Sequence, residues 1–194
     1  KQLINWSVHM SWCKVIAASG MADIVYETVN PENDLISLLK YINSNEDLLK
    51  IDPDNIGAYT CSANSYTALA HILNNSNDFL KCAVVYYGMF LTKDFKDLSL
   101  IDSLSQDMGF MSPTLSESSS WKKYVPLMIV NAGIDDPLIN QSLTDFIDDA
   151  INQNLPITLI NYPNGLHGFD FLNDNDTTRM IISSTIDFWK FNLK

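Results

Sequence analysis

Apolar positions along this chain follow two periods in turn. From about Asn5 to Ser19, Trp6, Met10, Cys13, Val15, Ile16 and Ala17 recur mainly at helical spacing, and Gly20 stops the run. Ala22 to Thr28 is short and rich in β-branched and aromatic residues, which predicts a strand. Pro31 with Glu32-Asn33-Asp34 then opens a helix whose Leu35, Ile36, Leu38, Leu39 and Ile42 share one face, ended by Asn43-Ser44-Asn45. Ile51 to Asn55 reads as a turn around Pro53 that feeds a strand from Ile56 to about Thr60. Helical spacing returns from Ser65 to Leu73, and a buried strand runs from Lys81 to Tyr87, closed by Gly88. Further on, strands are predicted over 126–130 and 156–161, and helices over 142–152 and 177–191.

This alternation predicts an α/β domain: a mostly parallel sheet with helices on both faces, formed by residues 1–194 as one unit. Residues 89–124 break the pattern, mixing Met89, Phe90, Met108, Phe110 and Met111 with many serines. They read as an excursion, a lid or cap over a site.

Composition narrows the range of functions. Twelve basic residues against 23 acidic ones give a net charge of −11, which repels phosphate backbones and anionic lipid, so nucleic acid and membrane surfaces are not expected partners. No apolar run is long enough to span a bilayer and no basic-then-apolar leader opens the chain, so it reads as soluble and cytoplasmic. Cys13, Cys61 and Cys82 have neither the number nor the spacing of a disulfide framework or a metal site, and no metal or other cofactor is expected.

Chemistry concentrates in three segments at predicted strand ends. Ser62 stands between the strand ending near Thr60 and the following helix; Asn131 to Asp136 ends a strand with two adjacent aspartates; Asn161 to Asp170 carries His167 between Gly165 and Gly168. A serine hydroxyl needs a base within hydrogen-bond reach to act as a nucleophile, and the base needs an acid to orient it. The chain order, Ser62, Asp135 or Asp136, then His167, is the order of a serine-hydrolase triad on such a sheet. Of the other histidines, His9 and His71 fall within helical patterns.

These segments resemble the α/β-hydrolase superfamily, and dienelactone-hydrolase-like esterases within it. Ile51 to Ala70 is similar to their nucleophile elbow, Ala132 to Pro137 to their acid loop and Ile160 to Asp170 to their histidine loop. The resemblance implies Ser62 as nucleophile, His167 as general base, Asp135 or Asp136 as the acid, and the Ala63 amide as one oxyanion donor. Asp135 is preferred because Ala132-Gly133-Ile134-Asp135 matches an Ala-Gly-x-Asp loop. The expected activity is cleavage of small-molecule carboxylic esters or lactones through an acyl-enzyme, without a cofactor.

The elbow departs from the family in one respect. G-x-S-x-G reads Thr60-Cys61-Ser62-Ala63-Asn64, with both glycines replaced. Cys61 is a competing nucleophile by chemistry, although its place in the motif is off by one. The family's N-terminal strands and second oxyanion loop have no counterpart in the sequence, which begins at Lys1. That implies an N-terminally truncated sheet, open between the strands at 22–28 and 56–60, to be closed by those two strands meeting, by a second copy in a homo-oligomer or by a complementing N-terminal segment. A non-catalytic, hydrolase-like binding module is the alternative function.

Overall fold

The computed structural model describes residues 7–74, 80–90, 118–121 and 125–194. Helices α1 (Ser7–Ala18), α2 (Pro31–Ser44) and the one-turn α3 (Glu46–Leu49) precede strand β1 (Ile56–Cys61). Helix α4 (Asn64–Asn74) and strand β2 (Leu80–Tyr86) follow, then a 3-10 turn at Ser118–Ser120 and strand β3 (Leu127–Ile134). Helix α5 (Pro137–Asn152), strand β4 (Ile157–Leu166), the short α6 (Phe169–Leu172) and α7 (Asp176–Asn192) complete the order.

The four strands pair in parallel in the order β1-β2-β3-β4. Parallel strands covered on both faces are apolar at nearly every position, and β2 is of this kind: among its residues only Lys81 is exposed. Side chains of alternate parity feed two separate cores. Ala83, Val85, Leu127 and Ile129 pack on one face with Leu69 and Leu73 of α4 and Phe146 of α5. Cys82, Val84, Tyr86, Met128 and Val130 pack on the other with Trp12 of α1 and Ile181, Ile186 and Trp189 of α7. Among the described residues no helix is long and apolar enough to cross a membrane.

One predicted strand is absent. Residues 22–28 form no strand, and most of them are exposed. Their composition favours a strand, yet backbone groups stay in strand geometry only where a neighbour supplies hydrogen bonds. Among the described residues β1 pairs with β2 alone, so the sheet begins at β1 and residues 22–28 do not close up against it. Other elements are longer than predicted, among them β3, which runs on from residue 130 to Ile134. Helix α5 starts at Pro137 rather than Ser142 because Asp136 caps it, accepting from the Leu138 N–H at 2.8 Å. Strand β4 runs on past Asn161, pairing with β3 as far as Leu166 opposite Ile134.

Of the predicted excursion at 89–124, residues 91–117 and 122–124 lie outside the described residues. Met89, Phe90 and Trp121 are buried, and the Phe90 and Trp121 rings sit 4.8 and 5.1 Å from Phe146 on α5.

Candidate active site

All three candidate segments lie at the carboxyl ends of their strands. In open parallel sheets that end is where sites assemble, since loops from neighbouring strands converge there. Cys61 at the end of β1 pairs with Tyr86 at the end of β2, and the Ser62 N–H extends the ladder by donating to the Tyr86 carbonyl at 3.1 Å. The chain then reverses within two residues to begin α4.

Ser62 makes that reversal with φ 53°, a conformation that is costly for any residue with a Cβ. Thr60 and Asn64 do not share it. The missing elbow glycines therefore cost no left-handed strain: Thr60 remains in the strand and Asn64 is the first residue of the helix.

The strained turn is bolted from behind by Ser65. This fully buried side chain hydrogen-bonds the Ser62 carbonyl and accepts from the Met89 N–H at 2.7 Å. Gly88 leaves room for it, since a Cβ there would stand 2.8 Å from the Ser65 hydroxyl and 2.5 Å from Val85. Nothing in the sequence marks Ser65 out from other serines in the first turn of a helix; only the packing does.

His167 is delivered by a second special backbone position. Gly168 has φ 79°, turning the chain from β4 into α6, and a Cβ on it would meet the Phe171 ring at 2.5 Å. The imidazole Nε2 lies 2.8 Å from Ser62 Oγ, and Nδ1 lies 2.8 Å from Asp135 Oδ2. The Asp135 side chain is 4% exposed and that of His167 40%, so the acid is sheltered while the ring faces outward. An ionised carboxylate can only accept, which makes Nδ1 the protonated nitrogen of a neutral ring and leaves the Nε2 lone pair facing the Ser62 hydroxyl.

The neighbouring aspartates separate by geometry. Asp135 turns one oxygen to His167 and accepts the Asp136 N–H with the other at 2.8 Å. Asp136 instead caps α5, so the structure brings Asp135, not Asp136, to the imidazole. Asp136→Ala is expected to lower stability by about 1 kcal/mol, the usual loss of such a cap, while changing kcat by less than about threefold. Thermal melts and initial rates on the same preparation check it.

Ala63 is buried at the start of α4, and among the described residues nothing accepts from its N–H. An unclaimed amide beside Ser62, at a helix N-terminus, can stabilise negative charge there. Among the described residues, no group of three or more His, Cys, Asp and Glu side chains could hold a metal ion.

Cys61 is a neutral thiol in this setting. Burial, with a lesser contribution from the negative charge of Asp170, pushes it up to about 11, which leaves about one part in a thousand as thiolate at pH 8. Iodoacetamide at that pH is expected to leave Cys61 unmodified in the folded protein, and Cys61→Ala to retain turnover. Peptide mapping and rates read both.

Three residues without a role in the sequence reading also meet at the site. Tyr87 lies against His167, and Asp170 joins Tyr87 to Trp12 of α1. Tyr87 reads as the last apolar position of a strand, and Trp12 is not among the apolar positions that predict the first helix, so neither carries a signal in sequence.

No protein-family model and no curated protein matches this sequence. Solved structures match it in shape. The chain is similar to a thermophilic esterase, Est2, of the planctomycete Thermogutta terrifontis, with TM-score 0.71 and 16% identity over 92% of this chain and 73% of that one. It is equally similar to MGS-M1, an α/β hydrolase enzyme from a Medee basin deep-sea metagenome library, with TM-score 0.71 and 14% identity over 97% of this chain and 78% of that one. Dipeptidyl peptidase 4 of Porphyromonas gingivalis matches at TM-score 0.63 and 19% identity, over 85% of this chain but 23% of its own. The chain has the α/β-hydrolase fold and covers 73% and 78% of the first two of these structures.

Proposed function

We propose that this α/β-hydrolase-fold chain is a serine hydrolase that cleaves small-molecule carboxylic esters through an acyl-enzyme. The observation that carries the reading is the unbroken hydrogen-bonded relay from Asp135 through His167 to a strained Ser62. Strain at a non-glycine residue on the rim of a rigid sheet is a mark of function, since packing must uphold it.

In the proposed reaction Ser62 Oγ attacks the ester carbonyl carbon as its proton passes to His167 Nε2. The carbonyl π pair moves onto oxygen, and the Ala63 N–H is the donor placed to meet that oxyanion. Collapse of the tetrahedral species breaks the bond to the alkoxy group, which leaves as alcohol with the proton from His167. Water, deprotonated by the same nitrogen, then attacks the acyl-serine and releases the acid, returning Ser62 to its resting state. Asp135 remains ionised throughout and holds the imidazole in the tautomer the first step needs.

Ester substrates are favoured over peptides because the similar structures covering most of their own length are named as an esterase and an α/β hydrolase. The same steps open a lactone. Short p-nitrophenyl esters test the proposal. A burst of nitrophenol equivalent to the enzyme, followed by slower turnover, is expected; a folded protein giving neither burst nor turnover points instead to the binding module.

A further inference from the structure

Tyr87 carries the second strained backbone at the site. Its φ is 36°, which for a bulky aromatic residue is an outlier that the surroundings must enforce. It is not a loose chain end, because its N–H donates to the Val130 carbonyl at 2.9 Å. Its ring lies against the imidazole, with centroids 4.7 Å apart and planes at 54°. Phe169 supports the ring edge-on at 5.5 Å.

The far end of the ring is fixed as firmly. The Tyr87 hydroxyl donates to Asp170 Oδ1 at 2.7 Å, while Asp170 Oδ2 accepts from Trp12 Nε1 at 2.8 Å and from the Tyr59 hydroxyl at 3.4 Å. Burial pushes the Tyr87 phenol far up, which keeps it a donor to this carboxylate. A carboxylate holding neutral donors from three separate elements makes stronger bonds than neutral pairs do. Its position three residues beyond His167 ties the histidine turn, β1, β2 and α1 into one unit.

We propose that Tyr87 is a positioning residue for His167, with Asp170 and Trp12 as its anchor. Hydrogen bonds at Nε2 and Nδ1 fix the two ends of the imidazole but let the ring rock about the line joining them. The Tyr87 ring closes off one side of that motion. The inference rests on the proposed hydrolase reading for its kinetic consequences, but not for its geometric ones.

The test is proton NMR of the folded, ¹⁵N-labelled protein, following the far-downfield Nδ1–H resonance of the His167 to Asp135 hydrogen bond, assigned by its loss in His167→Gln. Wild type is expected to show a sharp resonance. Tyr87→Phe, which keeps the ring and cuts it from Asp170, is expected to broaden the resonance and lower kcat about tenfold, with KM within about twofold. Trp12→Phe, which loosens the same carboxylate, should follow in the same direction. Tyr87→Ala is expected to abolish the resonance and lower kcat about 10²-fold, a loss typical of a misplaced catalytic group. Rates are taken per folded molecule by circular dichroism, so a role in stability alone lowers yield and Tm without touching resonance or kcat. A sharp, unshifted resonance in Tyr87→Phe and Trp12→Phe overturns the proposal, even if Tyr87→Ala fails to fold. A wild-type resonance that responds to these variants in a protein without ester turnover upholds the positioning and rejects the hydrolase reading.

Discussion

Ser62→Ala is expected to lower kcat on a short p-nitrophenyl ester by about 10⁶-fold, with the fold intact. The size follows from what the hydroxyl does in the proposed reaction. Without Oγ no covalent intermediate forms, and His167 and Asp135 are left with no group to activate. What rate remains comes from water attacking an ester held beside the Ala63 amide. KM should change little, because one oxygen contributes little to binding the ester as a whole. The variant should fold at least as well as wild type, since alanine suffers no more than serine from a φ of 53°. A circular dichroism melt alongside the rate separates loss of chemistry from loss of structure.

Asp135→Asn is expected to cost about 10⁴-fold in kcat, and here the structure gives the reason atom by atom. One oxygen of Asp135 accepts the Asp136 N–H and the other faces His167 Nδ1. In the amide, the remaining carbonyl oxygen stays with the Asp136 N–H, which leaves the NH₂ pointing at Nδ1. Two donors cannot share that contact, so the imidazole shifts its proton to Nε2. A protonated Nε2 cannot take the Ser62 proton. Asp136→Ala is the control for this variant, because it disturbs the same turn while leaving both oxygens of Asp135 in place. Rates of the two variants over the same ester, at equal folded concentration, measure the difference.

Much of the fold and of the candidate site is legible in the sequence. The switch from helical to apolar-run periodicity around residues 56–87 and 126–161 was enough to expect a parallel sheet, because buried parallel strands such as Cys82 to Tyr86 have a composition that few other elements share. The order serine, aspartate, histidine at the ends of β1, β3 and β4 marks the three loops that the structure brings together. Residues 22–28 were not legible in the same way. Ile24, Val25 and Tyr26 have strand-like side chains, but a strand exists only through its neighbour, and pairing is not written in local sequence.

Spacing leans to Asp135 through the Ala-Gly-x-Asp match, and the structure supplies the physical reason, which is that Asp136 is occupied in capping α5 while Asp135 meets the imidazole. Ser65, Tyr87 and Asp170 are ordinary residues by type. Their part in the site comes from backbone angles and from bonds that span 24 residues for Ser65 to Met89, 83 for Tyr87 to Asp170 and 158 for Trp12 to Asp170.

In the proposed reaction Ser62 is an activated nucleophile. Incubating the folded protein with a fluorophosphonate, then measuring intact mass and mapping the modified peptide, tests it without any assumption about the natural substrate. A single adduct on Ser62, formed in wild type and absent from His167→Ala, is the predicted result. Full-length folded protein that stays unlabelled, or that carries its adduct on another residue, contradicts it.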